Sequence, residues 1–540
     1  MTDAPVSLPD NPIYQAVSAG YVFDGAALEL GGLMVDATTL TDVHVKIPIG
    51  MLNRHGLVAG ATGTGKTKTI QLMMEQLSAA GVPVFAADIK GDLTGLASPG
   101  VAGDKITARA ATVGQTWEAK AFPVEYFALG GVGTGVPIRV SVEAFGATLL
   151  AKVLGLNDTQ ESSLGLVFHY AKNASLKLVD LGDLRAVLQF LTSADGKAEL
   201  AGLGGLSAAT VGVILRELIA FADQGADQFF GEPAFDSADL LRTDGGGQGL
   251  ISLLELPNLT DRPAIFSTFL MWLLTDLFRK LPEVGDPDKP KLVFFFDEAH
   301  LLFTDASKDF LATITQTVRL IRSKGVGVFF ISQSPTDIHE DVLAQLGSRI
   351  QHQLRVNTPN DAKALKSTVN TYPTSSYADL GAVITTLGIG EAIVTVMNER
   401  GAPTPVAWTR MRAPESLMAA TDAAAVAATV SASTLNAKYS AVSDLPSAAD
   451  DLSAKAEQKQ AEAGSAGGAA GSGSAGSGSG SGSAGGSAPA GGASAPKAAP
   501  KKSAKKEKSM IEEVVNSTTF RQVARTAARE AMKQLFGRKR

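Results

Sequence analysis

Cysteine is absent from the 540 residues, which excludes a disulfide framework and any thiolate-held metal. The six histidines are scattered without ligand spacing, so a zinc site is not expected either. A long apolar run is also missing. The most apolar stretch, 264–278, is broken by Ser267, Thr268, Thr275 and Asp276 and reads as a buried helix rather than a membrane span. The opening Met1-Thr-Asp-Ala-Pro-Val6 has no basic segment followed by an apolar one, so no secretion leader is expected, and a reducing cytoplasm suits the composition. Positive charge is in the minority over the body. The net charge is −6, yet residues 497–540 carry thirteen Lys/Arg against four Asp/Glu, a local +9 that leaves the rest near −15. Such a body does not coat nucleic acid with its whole surface; contact has to be local, in a pore or through the tail.

What is present is a glycine-rich loop. Gly60-Ala-Thr-Gly-Thr-Gly65-Lys66-Thr67 fits the phosphate-binding pattern G-x-x-x-x-G-K-[ST]. Glycines at 60, 63 and 65 let the backbone of Gly60, Ala61, Thr62, Gly63, Thr64 and Gly65 curl so that successive amides face an anion. Lys66 supplies charge to the β- and γ-phosphates, the Thr67 hydroxyl is placed for Mg²⁺, and Lys68 follows on the first helical turn. Gly56 to Ala59 reads as a buried strand before the loop. Thr67 to Ala80 reads as a helix after it, with Ile70, Met73, Met74 and Leu77 on one face and Gly81 as its stop. The helix N-terminus adds its dipole to the phosphate site.

Along the chain, residues 1–50 form a short β-rich lead-in, with a strand at Val43–Pro48 and a turn at Gly31-Gly32. Val82–Ala87 is a second buried strand ending in Asp88-Ile-Lys-Gly-Asp92-Leu, parallel to the first. Residues 103–247 read as a mostly helical insertion, with helices at 143–154, 158–173, 181–191 and 207–224. Asp158 with Glu161 resembles a capping box, and Ser207 is a further N-cap. The core resumes with strands near 249–254, 291–296, 326–331 and 350–354, separated by helices at 263–280 and 308–323. This is the pattern of a parallel sheet covered on both faces. Segments 391–397 and 405–410 are late strands, placed at an edge. The nucleotide-binding core is thus split between 51–102 and 248–415, followed by a helical or extended region at 416–463. Residues 464–509 begin as Gly/Ser/Ala linker, whose 464–496 part has an r.m.s. reach of ~30 Å, and become Lys-rich. Residues 510–540 are a basic amphipathic helix with Arg521, Arg525 and Arg529 recurring every four residues.

Phe294-Phe-Phe-Asp297-Glu298-Ala-His300 completes the candidate site. A buried strand ending in Asp at the C-terminal edge of a parallel sheet puts that carboxylate beside the loop, where Mg²⁺ sits. Glu298, one residue on, is the candidate base for the attacking water. The next strand ends at Ser332-Gln333, which places Gln333 as a γ-phosphate sensor on the same edge. Arginines follow at Arg319, Arg322, Arg349 and Arg355. An arginine delivered from a neighbouring subunit is worth ~10³-fold or more in rate, and Arg349, then Arg322, are the candidates.

These motifs resemble the HerA/FtsK group of ring-forming ATPases. Arg54-His55-Gly-Leu, Asp88-Ile-Lys-Gly-Asp92-Leu and Leu154-Gly-Leu-Asn-Asp-Thr-Gln160-Glu resemble more closely the bacterial HerA-like family typified by YjgR, over roughly residues 12–415. The resemblance implies an α/β, RecA-like P-loop core and a cytoplasmic hexamer that moves DNA with ATP and Mg²⁺. It also implies the roles given above for Lys66, Thr67, Asp297, Glu298 and Gln333. The Asp-Glu-Ala-His string lacks the other motifs of DEAH-box helicases. The alternative is a ring or dimeric ATPase acting on a protein partner, or a nucleotide switch. The basic tail helix is a candidate contact for nucleic acid or an acidic partner.

Overall fold

Short apolar runs between helices become strands of one sheet when both faces can be covered. In the computed structural model, which describes residues 8–200, 202–256, 263–303, 308–441 and 446–468, twelve strands do so. They are β1 (Ala27–Val35), β2 (Thr38–Pro48), β3 (Gly56–Ala59), β4 (Val84–Asp88), β5 (Val124–Leu129), β6 (Val136–Ile138), β7 (Ile251–Glu255), β8 (Leu292–Phe296), β9 (Val326–Ser332), β10 (Ser348–Gln351), β11 (Glu391–Thr395) and β12 (Ala407–Met411). Their order is β2-β1-β12-β11-β10-β3-β9-β8-β4-β7-β5-β6. From β10 to β6 all pairings are parallel, while β11, β12, β1 and β2 add on antiparallel. The chain divides into Met1–Gly468 and Ala469–Arg540. The second unit, with the expected basic helix, lies outside the described residues.

Every residue of β8 and β9 is buried, and their side chains alternate between two cores. Phe294, Phe296 and Phe330 face one core together with Phe85 and the helix Pro263–Lys280. Val293, Phe295, Phe329 and Ile331 face the other, against Ile70, Met73, Met74 and Leu77 of the helix Lys66–Ala79. Each such side chain contributes about 1.5–3 kcal/mol of burial, so the strands that carry the site are anchored along their whole length. No helix among the described residues is long and apolar enough to cross a membrane.

Several expectations are corrected. Gly31 and Gly32 are not a turn but lie inside β1, where a Cβ would stand 2.0 Å from the Arg410 carbonyl oxygen and 2.8 Å from that of Leu40. The turn falls at Asp36-Ala37, both left-handed at φ 48° and 62°, the geometry of a two-residue hairpin. β11 and β12 are not at the edge: the lead-in hairpin packs outside them through β12, so β2 is the edge strand. β3 and β4 are parallel but not neighbours, since β9 and β8 lie between them. The described residues of segment 103–247 hold seven α-helices, yet its β5 and β6 extend the sheet beyond β7. The helix expected over 143–154 is two, Val142–Phe145 and Ala147–Val153, parted at Gly146 with φ 85°. The capping box of helix Asp158–Asn173 is made by Asn157 and Gln160, one residue earlier than Asp158 and Glu161.

Candidate active site

The loop Gly60–Gly65 leaves β3 between two neighbours that continue past it, and both hold it. Gly60 N donates to the Ser332 carbonyl at 3.2 Å, and Ala61 N to the Gln353 carbonyl at 2.8 Å. On the far side Gly390 N donates to the Thr64 carbonyl at 2.9 Å. Arg109 in turn donates to the Ile389 and Gly390 carbonyls at 2.9 and 3.1 Å. Two glycines are required by this packing. A Cβ on Gly60 would stand 2.5 Å from His352 Cβ, and Gly65 is left-handed at φ 114° just before the helix begins. His352 is fully buried, with its Nε2 2.9 Å from the Thr69 hydroxyl; burial pushes its pKa down to about 4, so it is neutral.

Lys66 is 8% exposed and curls into the loop, donating to the Gly60 carbonyl at 2.5 Å and the Ala61 carbonyl at 3.2 Å. Its pKa is lowered, chiefly by burial and then by the nearby Lys90 ammonium. An anion seated in the loop would relieve both costs. Thr62 and Gly63 are exposed at the loop's crest, and Thr67 is half-buried on the first helical turn. Lys68 turns along the helix, donating to Gln71 Oε1 at 3.0 Å.

The two acids arrive from β8, two strands away. Asp297 is 3% exposed; its Oδ1 accepts the Glu298 amide at 2.9 Å, and its Oδ2 is buried and accepts no hydrogen bond. Burial raises the Asp297 pKa, against the opposing pull of Lys90. A buried carboxylate oxygen that accepts no hydrogen bond fits a hard divalent cation, so Asp297, with the Thr67 hydroxyl from the loop's helix, would hold Mg²⁺. Glu298 sits in left-handed backbone at φ 46°, a strained conformation for a non-glycine residue. Lys90 Nζ lies 2.5 Å from its Oε1, and His300 Nδ1 3.3 Å from its Oε2. Burial alone would raise the Glu298 pKa, but the Lys90 hydrogen bond and charge outweigh it and hold the carboxylate below its ordinary range.

Gln333 follows β9 on the same edge and is exposed. With Ala61, His300, Asp337 and Arg355 it lines an open cavity of about 630 Å³ beside the loop. The two favoured arginines do not join this pocket within one chain. Arg349 pairs with Leu57, back along β3, and its guanidinium donates to the Thr371 carbonyl at 2.9 Å. Arg322 precedes β9, at the opposite end of that strand from Gln333, and lies 4.0 Å from Asp286. The arginine that reaches the loop is Arg355, donating to the Thr62 carbonyl at 3.3 Å. Lys90 is the residue that motif reasoning passed over, although the Asp88-Ile-Lys-Gly-Asp string already ended a strand on this edge.

A family model described as helicase HerA-like C-terminal matches residues 34–540. "Probable helicase MJECL08" of Methanocaldococcus jannaschii is 24% identical over 411 residues, covering 72% of each chain. "DNA double-strand break repair helicase HerA" of Sulfolobus acidocaldarius is 23% identical over 385 residues, covering 69% of this chain and 67% of that one. Among solved structures, the bacterial conjugative coupling protein TrwBΔN70 is similar with a TM-score of 0.49 and 17% identity, covering 74% of this chain and 93% of that one. With the phosphate loop, the buried acid pair and a family match over most of its length, the chain belongs to the helicase HerA-like C-terminal family and is a P-loop ATPase.

Proposed function

We propose that the chain is a cytoplasmic motor that hydrolyses ATP with Mg²⁺ and moves along DNA as a hexameric ring. The observation that supports this most is the meeting, on one sheet edge, of buried Lys66 with Asp297 and Glu298, in a chain whose relatives carry helicase names. The loop amides and Lys66 bind the triphosphate. Thr67 and Asp297 would hold Mg²⁺, whose charge would offset that of the phosphates. Glu298 takes the proton of the attacking water as the bond from the γ-phosphorus to the ADP oxygen breaks. Gln333 lines the cavity from which that water would come. Arg349 and Arg322, remote from the pocket in their own chain, can act only on a neighbour's nucleotide, which is what a ring provides. The Lys/Arg-rich segment 497–540 is the part of the sequence suited to nucleic acid or an acidic partner.

The test is the ATPase rate with and without single- and double-stranded DNA, together with native mass. Stimulation by DNA and a six-subunit mass are expected. A rate indifferent to DNA, with no salt-sensitive DNA binding, would replace the DNA motor by an ATPase acting on a protein partner.

A further inference from the structure

The string Asp88-Ile-Lys90-Gly-Asp92 has no part in the scheme above, yet it is built as carefully as the phosphate loop. Asp88 closes β4, fully buried, and its two carboxylate oxygens accept the Gly91 and Leu93 amides, both at 2.8 Å. Gly91 supplies the left-handed φ of 71° that this turn needs. The turn fixes the backbone on either side of Lys90. Since β4 and β8 are neighbours, with Ala87 opposite Phe296, the Lys90 side chain is presented directly to the two acids that follow β8.

There its ammonium lies 2.5 Å from Glu298 Oε1 and 4.0 Å from Asp297 Oδ2. An ordinary surface ion pair has both partners in solvent and holds neither. Here the Glu298 side chain is 11% exposed, its backbone is strained, and its other oxygen faces His300. Lys90 therefore holds one carboxylate oxygen directly and brings a permanent cation to it, while the other oxygen has His300 Nδ1 3.3 Å away.

We propose that Lys90 is a positioning residue for ATP hydrolysis, orienting the Glu298 carboxylate toward the attacking water. This rests on Glu298 being the base. A base released from its orienting partner samples rotamers in which its oxygen misses the water, and misplacement by about 1 Å costs on the order of 10²-fold in rate.

The experiment is steady-state and single-turnover ATPase kinetics on the full chain, with Lys90→Met, Lys90→Arg and both combined with Glu298→Gln. Lys90→Met is expected to lower kcat about 10- to 100-fold. KM for ATP should stay within about threefold, since the ground-state grip on phosphate belongs to Lys66. Lys90→Arg should recover most of the rate, because it restores a cation to the same oxygen. On the Glu298→Gln background Lys90→Met should change the residual single-turnover rate by less than about twofold. An unchanged kcat, a rise in KM in place of the fall in kcat, or an equal loss on the Glu298→Gln background would each overturn the proposal. Should Lys90→Met fail to fold by circular dichroism, Lys90→Gln takes its place in the same comparison. A Glu298→Gln enzyme that turns over ATP normally would sink the base assignment itself. A dead Glu298→Gln beside a fully active Lys90→Met would sink the role of Lys90 alone.

Discussion

The two ends of strands β8 and β9 present the same kinds of residue in opposite circumstances. At their N-terminal end Arg54 and Arg322 both lean on Asp286, at 3.4 and 4.0 Å, with the Asp286 side chain 64% exposed. At their C-terminal end Lys66, Lys90, Asp297 and Glu298 converge with the acids nearly closed off from solvent. The first cluster is screened by water and is worth at most ~1 kcal/mol. The second shifts the pKa of every member: burial does so for Lys66 and Asp297, while for Lys90 and Glu298 burial is outweighed by their mutual contact. Both clusters flank the same buried strands, so burial and mutual facing separate the chemical end from the merely charged one.

That contrast can be broken by substitution at either end. The largest effect is expected from Lys66→Ala, which removes the buried cation facing the phosphates; ATP binding should weaken by about 2–3 kcal/mol, measured by calorimetry. Asp297→Asn should come next. With a neutral amide in place of the buried carboxylate, the Mg²⁺ concentration for half-maximal turnover should rise about tenfold or more. Glu255→Gln sharpens the comparison through pH. Burial, and then the charges of Asp88 and Asp92, push the Glu255 pKa up to about 8, above its ordinary carboxylate value. The folded state therefore keeps a proton that the unfolded chain has lost, and wild-type stability falls as pH rises from about 5 through about 8. Glu255→Gln has no such proton to lose, so it should gain steadily on wild type between pH 5 and 8.5, read from urea melts. The smallest effect belongs to the opposite end. Arg322→Ala should change stability by less than ~1 kcal/mol. If it abolishes turnover with the fold intact, that arginine serves a neighbouring subunit.

Much of this site can be read from the chain because its rules are local. The spacing of Gly60, Gly65, Lys66 and Thr67 implies a loop, and an apolar run ending in Asp297-Glu298 implies a strand delivering acids to the same edge. What could not be read depends on partners far along the chain. Gly31-Gly32 looks like a turn until Arg410 and Leu40 are seen pressing against the strand. β5 and β6 lie among helical patterns, and only pairing with β7 reveals that they extend the sheet. In the sequence Arg322 and Arg349 stand out only as arginines that follow the acids. Which end of a strand each occupies is a matter of register, fixed by pairs such as Arg349 with Leu57. Lys90 escaped because a lysine in a turn is ordinarily a solvated one, and only the 2.5 Å approach to Glu298 distinguishes it.

The central claim is that the acid ending β8 activates water for a triphosphate seated in the β3 loop. Its most direct test is ATP turnover and ATP affinity measured side by side for wild type and Glu298→Gln. The expected result is an affinity within about threefold of wild type, with turnover reduced by about 10²- to 10⁴-fold. Turnover at the wild-type rate would contradict the account.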